Sequence, residues 1–528
     1  MTPSTGGPGL DRRRFLRLGS LGVGALGLGV LGLGSTACGF VQAADSTTTP
    51  DHIAPTDPEV AAAEQARDWS GRVAPFALTA AAATVDLGGR LVDTWSYGGR
   101  AVAPELRVTA RDRMRVAVRN DLPVDTTLHW HGIRIRNDMD GAAPATQAPI
   151  TPGSDFVYEF VVPDPGTHWY HSHSGLQADR GLFGALVVED PDDTSGADVD
   201  AVLVLDDWLD GLGTTPEAVL MALNPAMSGG HGGHGGGGAP MVHTADELSA
   251  AEALVGGGHG SSVPLGGMTQ HIGYPLHLIN GRPPNDPEVL TAAPGSRVRL
   301  RIVNAAAETP YRFAVAGHEM TVIAADGFDV TPTTTDTLIV GMAQRYDVLV
   351  TLKTGAWPVV AKVEGRDGYA STVLRSTDAA PLDNPDVGGV VSELAGRLLS
   401  ESELRPVDAV RLDTRGPDRD HRVELIQAGD RYVWGMAGPD AGKLLMRQGE
   451  RVRITMVNST TMWHPMHTHG HTFAIPDYGG LRRDTVIVPP GAELAIEFDA
   501  DNPGEWMFHC HNAYHFEAGM TANLRYIR

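Results

Sequence analysis

Disulfide bonds cannot hold this chain together, because its 528 residues contain only two cysteines, Cys38 and Cys510. Positive charge is also scarce. Lys and Arg number 41 against 64 Asp and Glu, a formal charge of −23. A polyanion would be repelled, which excludes nucleic acid as a partner, whereas metal cations are tolerated. Long apolar runs are missing too. The one candidate, residues 18–34, is short and diluted by glycine, and nothing after it is long enough to span a bilayer.

That run follows Asp11-Arg12-Arg13-Arg14-Phe15-Leu16-Arg17, a twin-arginine pattern. Residues 1–43 are therefore expected to be an export signal that places the chain in the cell envelope or outside the cell. Cys38, in Ser35-Thr36-Ala37-Cys38, loosely resembles a lipoprotein cleavage box without the usual leucine. A lipid anchor at Cys38 and ordinary cleavage after Ala43 both remain open. Either leaves Cys510 as a lone thiol in an exported protein, with no intramolecular disulfide to form. Such a thiol needs a chemical reason.

The length calls for more than one core, and 64 Gly with 36 Pro suit strands and turns. Residues 44–68, rich in Thr, Pro, Asp and Ala, read as a tether. Short β-rich runs at 157–162, 298–303, 347–352 and 452–457, separated by turn residues, predict an all-β chain of antiparallel sandwiches. One strand occurs three times, as RMRVAVRN (113–120), RVRLRIVN (297–304) and RVRITMVN (451–458). Three copies of a strand imply three copies of a domain, assigned to residues 69–195, 196–378 and 405–528. Residues 379–404 serve as a linker, and 228–240 form a Gly/His-rich loop in the second copy.

The first and third copies match further. His129-x-His131-Gly132 recurs as His467-x-His469-Gly470. Pro152-Gly153 recurs as Pro490-Gly491, Pro165-Gly166 as Pro503-Gly504, and His171-x-His173 as His509-x-His511. Each lies 338 residues after its counterpart. The middle copy has no such histidine pair and reads as spacer and scaffold.

Four clusters carry chemistry: His129/His131, His171/His173, His464/His467/His469, and His509-Cys510-His511 with His515 and Met520. A lone histidine is more often a hydrogen-bonded bystander than a ligand. Four His-x-His pairs inside one repeat are different, because residues i and i+2 of a strand share a face. Zinc has no use for ten histidines. One Cys, two His and a distant Met are the trigonal blue-copper set with a weak axial thioether. Cys510, His464, His515 and Met520 supply it, and eight histidines remain for other metals.

With these motifs the chain resembles the multicopper oxidase family, which includes laccases, ferroxidases and bacterial copper-resistance oxidases. It is most similar to exported actinobacterial members linked to copper tolerance. The resemblance implies three cupredoxin-like Greek-key β-sandwich domains and four copper ions. It assigns the type 1 copper to Cys510, His464, His515 and Met520, and the type 2 copper to His129 and His467. It gives the type 3 pair to His131, His171, His173, His469, His509 and His511. Cys510 then hands electrons to the cluster that reduces dioxygen to water. Asp140 resembles the family acid that relays protons there; the plainer reading is an Asx turn before Gly141. Tyr514 stands where some bacterial members carry a proton-moving Glu. Ser172, Thr126, Gln177 and Leu182 stand opposite Cys510, His464, His515 and Met520 in the repeat, so the first domain is not expected to hold a type 1 copper.

The donor is less determined. An axial Met implies a low to middling potential and easily oxidised donors: cuprous ion, ferrous ion or electron-rich phenols. Met462 and Met466 around His464, and Met227, His231 and His234 in the segment Met221–Met241, lean towards cuprous ion and copper tolerance, with laccase-type phenol oxidation or ferroxidase activity as alternatives. Copper-free envelope proteins of this descent lack ligands, and none is missing here. A copper-storage protein has no need of a cysteine between cluster histidines. Two-domain nitrite reductases complete their sites across subunits, whereas this chain carries both halves and is expected to be a monomer.

Overall fold

The structure, a computed structural model, describes residues 51–225, 243–381, 388–429, 432–442 and 444–528. The export signal with Cys38, and the loop 228–240 with Met227, His231 and His234, lie outside these. Strands dominate, and the four α-helices among the described residues are short. Three pairs of sheets follow one another along the chain: four strands on four, six on six, and six on five.

The three copies of the repeated motif form the strands Arg113–Asn120, Arg297–Asn304 and Arg451–Asn458. Each lies parallel to the strand that opens its sandwich and antiparallel to a later one. The closing asparagines do the same work three times. Asn120, Asn304 and Asn458 each accept through Oδ1 from the backbone N–H two residues on, and donate Nδ2 to two backbone carbonyls. An apolar residue there would leave buried carbonyls unpaired. Alternating burial holds in the first and third copies but not in the second. There Arg299 and Arg301 are buried as well, paired with Asp347 and Asp200.

One hydrophobic core runs through the first and third sandwiches, and the second has its own. Two boundaries differ from expectation. The segment from Asp51, read as tether, is a packed strap. Ile53 N–H donates to Tyr526 O at 2.8 Å, Arg528 pairs with Asp51, Asp57 and Glu59, and Glu64 accepts from Val161 N–H at 2.8 Å. Buried Ile53 and Val60 anchor it, and two apolar side chains in a polar stretch are too few to show in composition. The linker 379–404 is partly sheet. Leu398–Leu399 pairs with Thr337–Val340, and the chain through Val407 adds to the middle sandwich's edge.

Buried histidines away from the clusters make stability depend on pH. His277 donates Nδ1–H to Tyr311 Oη at 2.8 Å, and Tyr311 donates onward to Asp206 O. Burial lowers the His277 pKa to about 3. The unfolded ring takes its proton near pH 6.5, so the unfolded chain binds more protons between the two values. Stability therefore falls as pH drops through that window, by up to about 1.4 kcal/mol per pH unit for the ring. His277→Gln is expected to show a shallower loss of urea midpoint between pH 6.5 and 4 than the parent; equal slopes would rule the ring out as a contributor.

Candidate copper centres

The histidine pairs sit at strand ends. His129–His131 forms a whole short strand, but Gly166–His171 ends at His171 and Glu505–Cys510 ends at Cys510. His173 and His511 thus lie just past their strands, and strand alternation accounts for only part of the convergence. The glycine after two of the pairs, His129-x-His131 and His467-x-His469, makes room. Gly132 and Gly470 have φ of +84° and +63°; a Cβ on Gly132 would lie 2.5 Å from Arg345 Nη2, and one on Gly470 2.4 Å from the Trp506 ring.

The structure gathers the eight histidines from four separate segments. Donor atoms of His129, His131 and His467 lie within 4.8 Å of one another, as do those of His131, His171 and His511, and those of His173, His469 and His509. Two pairs stack across the domain boundary, His129 on His469 and His131 on His467, each with ring centres 3.8 Å apart.

The hydrogen bonds show which nitrogens are left for metal. His129, His171 and His467 each donate Nδ1–H at 2.9 Å to a backbone carbonyl, of Asp140, Ser172 and Asp484. A carbonyl only accepts, so each Nε2 keeps its lone pair, and all three Nε2 atoms are buried without a hydrogen bond. His131 is reversed: Nε2 faces Asp484 Oδ1 at 3.1 Å and Nδ1 is the orphan. Burial first, and neighbouring imidazoles next, hold His131, His171, His173, His467, His469 and His511 well below the usual histidine pKa. Neutral rings with orphaned, converging lone pairs are what copper needs and what a dry core otherwise penalises.

Two acids brace these rings in a crossed pattern. Asp140 takes His129 of its own domain on its carbonyl and His469 of the third on Oδ2 at 2.9 Å. Asp484 takes His467 of its own domain on its carbonyl and His131 of the first on Oδ1. Asp140 is fully buried and more than an Asx turn. The sequence reading missed Asp484, and it missed Arg345. Arg345 donates to Asp484 Oδ1 and Oδ2 at 2.7 and 2.6 Å, to Thr167 O at 3.0 Å and to Ala343 O at 3.1 Å. It thereby touches all three domains, and the middle one is more than a spacer.

The other centre is a triangle. Cys510 Sγ lies 3.6 Å from His464 Nδ1 and 3.7 Å from His515 Nδ1, and the two nitrogens are 3.2 Å apart. His464 Nε2 donates to Thr460 Oγ1 at 2.8 Å, which leaves Nδ1 as its donor. Burial pushes the thiol pKa up and lowers His464 to about 3. A bound metal would displace the thiol proton. Met520 is buried beside the triangle, its backbone bonded to Cys510 N–H and His515 O. In the first domain the corresponding side chains bond one another: Thr126 and Ser172 both donate to Gln177 Oε1, at 2.7 and 2.8 Å. Tyr514 donates at 2.6 Å to Asp179, a buried acid of the first domain that also accepts from Tyr274. Met462 and Met466 are fully buried in the core, so neither can meet a soft cation outside.

A Cys/His/His triangle joined through one residue on either side to eight converging histidines defines a copper-dependent oxidase. The sequence profile described as multicopper oxidase matches residues 79–193, 264–379 and 416–527. Over 99% of both chains, the protein is 40% identical to multicopper oxidase MmcO of Mycobacterium tuberculosis. It is 27% identical to copper resistance protein A of Escherichia coli, over 85% of this chain and 92% of that one. The crystal structure of laccase from Botrytis aclada superposes with a TM-score of 0.65 at 25% identity, covering 87% of this chain and 88% of the laccase. The chain belongs to the multicopper oxidase family: a copper-dependent oxidoreductase with dioxygen as acceptor, built on cupredoxin-like domains and using four coppers.

Proposed function

We propose that this chain oxidises cuprous ion one electron at a time and reduces dioxygen to water, as a copper-tolerance enzyme. The observation that carries the reading is the burial of His515. Its ring is fully buried and its Nε2 has no hydrogen bond, so the edge of this imidazole is closed to a phenol. The name of the Escherichia coli relative, copper resistance protein A, points the same way. Copper held here supplies single-electron uptake at one centre and four-electron delivery to dioxygen at the other. Cys510, His464, His515 and Met520 hold the type 1 ion, His129 and His467 the type 2, and the remaining six histidines the type 3 pair. Cys510 and its neighbours His509 and His511 put the two donor sets one residue apart along a covalent chain. Asp140 braces one histidine of the first domain and one of the third and is the proton-relay residue. All donors come from one chain, which supports a monomer, and the twin-arginine stretch supports export.

Oxygen uptake by the copper-loaded protein, with cuprous ion, ferrous ion and dimethoxyphenol in separate runs against autoxidation blanks, tests the reading. Cuprous ion is expected to be turned over at least about tenfold faster than the phenol, a gap of about 1.4 kcal/mol in barrier. A phenol rate equal to or above the cuprous rate would make the protein a laccase.

A further inference from the structure

The outer side of the Cys510 centre is closed by the middle domain. Trp463 Nε1 donates to Thr269 O at 3.0 Å, and Met268 forms a parallel bridge to Met462. Beneath this cover His515 lies with its ring centre 4.0 Å from Trp434. The next imidazole outward is His271, ring centre 5.6 Å from His515, its side chain 9% exposed. His271 Nδ1 faces Glu308 Oε1 at 3.0 Å. Glu308 is fully buried, and also accepts from the backbone N–H groups of His271 and Ile272 and from Asn512 Nδ2. Asn512 in turn caps the short helix that carries His515. A carboxylate on Nδ1 fixes the hydrogen there and leaves Nε2 as the ring's donor, the arrangement that orients metal-binding histidines. Beyond His271 stands His259, exposed, edge-on, at 5.3 Å between ring centres. That spacing is close to the 5.0 Å between His464 and His515, which share a metal-sized gap.

We infer that His259 and His271 form a docking site for cuprous ion, and that its electron enters through the His271 imidazole, a ring that is not itself a ligand of the inner centre. The inference rests on the cuprous-ion reading above and replaces the buried Met462 and Met466 with named surface donors. Imidazole suits copper, and two converging nitrogens can hold a cuprous ion. The docked ion would lose one electron and leave as cupric ion, a copper held by Cys510, His464 and His515 would be the acceptor of that electron, and no bond to carbon or hydrogen changes.

Silver ion, a redox-inert stand-in for cuprous ion, separates binding from turnover. Calorimetric titration of the copper-loaded protein is expected to show one silver site, and silver should compete with cuprous ion in oxygen uptake. His259→Ala, a surface change with no folding risk, and His271→Ala should each weaken silver binding and raise the cuprous KM by at least about tenfold. Glu308→Gln should weaken it about 10–100-fold. The blue absorption is the check that the inner centre is still loaded in each variant. If the parent fails to oxidise cuprous ion, the proposed function falls. If the parent oxidises it and both histidine variants keep parental silver affinity and KM, the docking site alone is overturned.

Discussion

Cys510→Ser is expected to give a folded, colourless protein whose oxygen uptake with any donor falls to the blank. The side chain is fully buried and the change is nearly isosteric, so packing is preserved. What changes is the donor. A thiolate is soft and is stabilised by the metal that displaces its proton, whereas a serine hydroxyl stays protonated beside His464 and His515. The eight cluster histidines use no atom of the Cys510 side chain, so copper there should remain, near three ions per chain by elemental analysis. Thermal melting within a few degrees of the parent would confirm the fold. Full turnover in this variant would remove Cys510 from the electron path.

Arg345→Met should have the second largest effect, on a centre that Arg345 does not ligate. Asp484 would keep its charge in a fully buried place and lose both guanidinium bonds. Breaking one side of a buried pair costs about 3–5 kcal/mol. Asp484 also holds His131 and His467, so their orientation should loosen and copper affinity in the cluster fall about 10–100-fold. Copper per chain, the electron paramagnetic resonance of the type 2 ion and the blue absorption read this out separately, and only the blue absorption should persist. Arg345→Met combined with Asp484→Leu removes the stranded charge. It should recover much of the stability without recovering cluster copper. Recovery of both would make the pair merely structural; an unchanged type 2 signal in the single variant would remove Arg345 from the positioning of the cluster.

Most of the fold, and most of the side chains that the structure gathers into the two clusters, were legible in the sequence, and the reason lies in the duplication. Repeated strands ending in Asn make the same local bonds in every copy, and paired histidines recur at one fixed offset in the first and third. Where a residue acts outside the repeat, the signal disappears. Asp140 lies 11 residues after His129, but Asp484 lies 17 after His467. The offset of 338 therefore lands on Tyr478, and the second brace stays hidden. Arg345 belongs to a domain without cluster histidines, and nothing in its neighbourhood distinguishes a buried keystone from a surface arginine. Met462 and Met466 misled for the same reason, since composition near a ligand does not tell core from surface. His271 became visible only when Glu308, 37 residues away, was seen to hold it.

The crossed bracing by Asp140 and Asp484 has a consequence for descent. After a duplication, two copies ordinarily drift apart, each tolerating its own changes. Here each copy keeps the brace for a ligand of its sister, so damage to one half is felt in the other. The two halves depend on each other, and an exchange of the third domain would have to carry matching changes in the first. The middle domain, whose Arg345 secures one of the two braces, is bound to the same pair without contributing a histidine to the cluster.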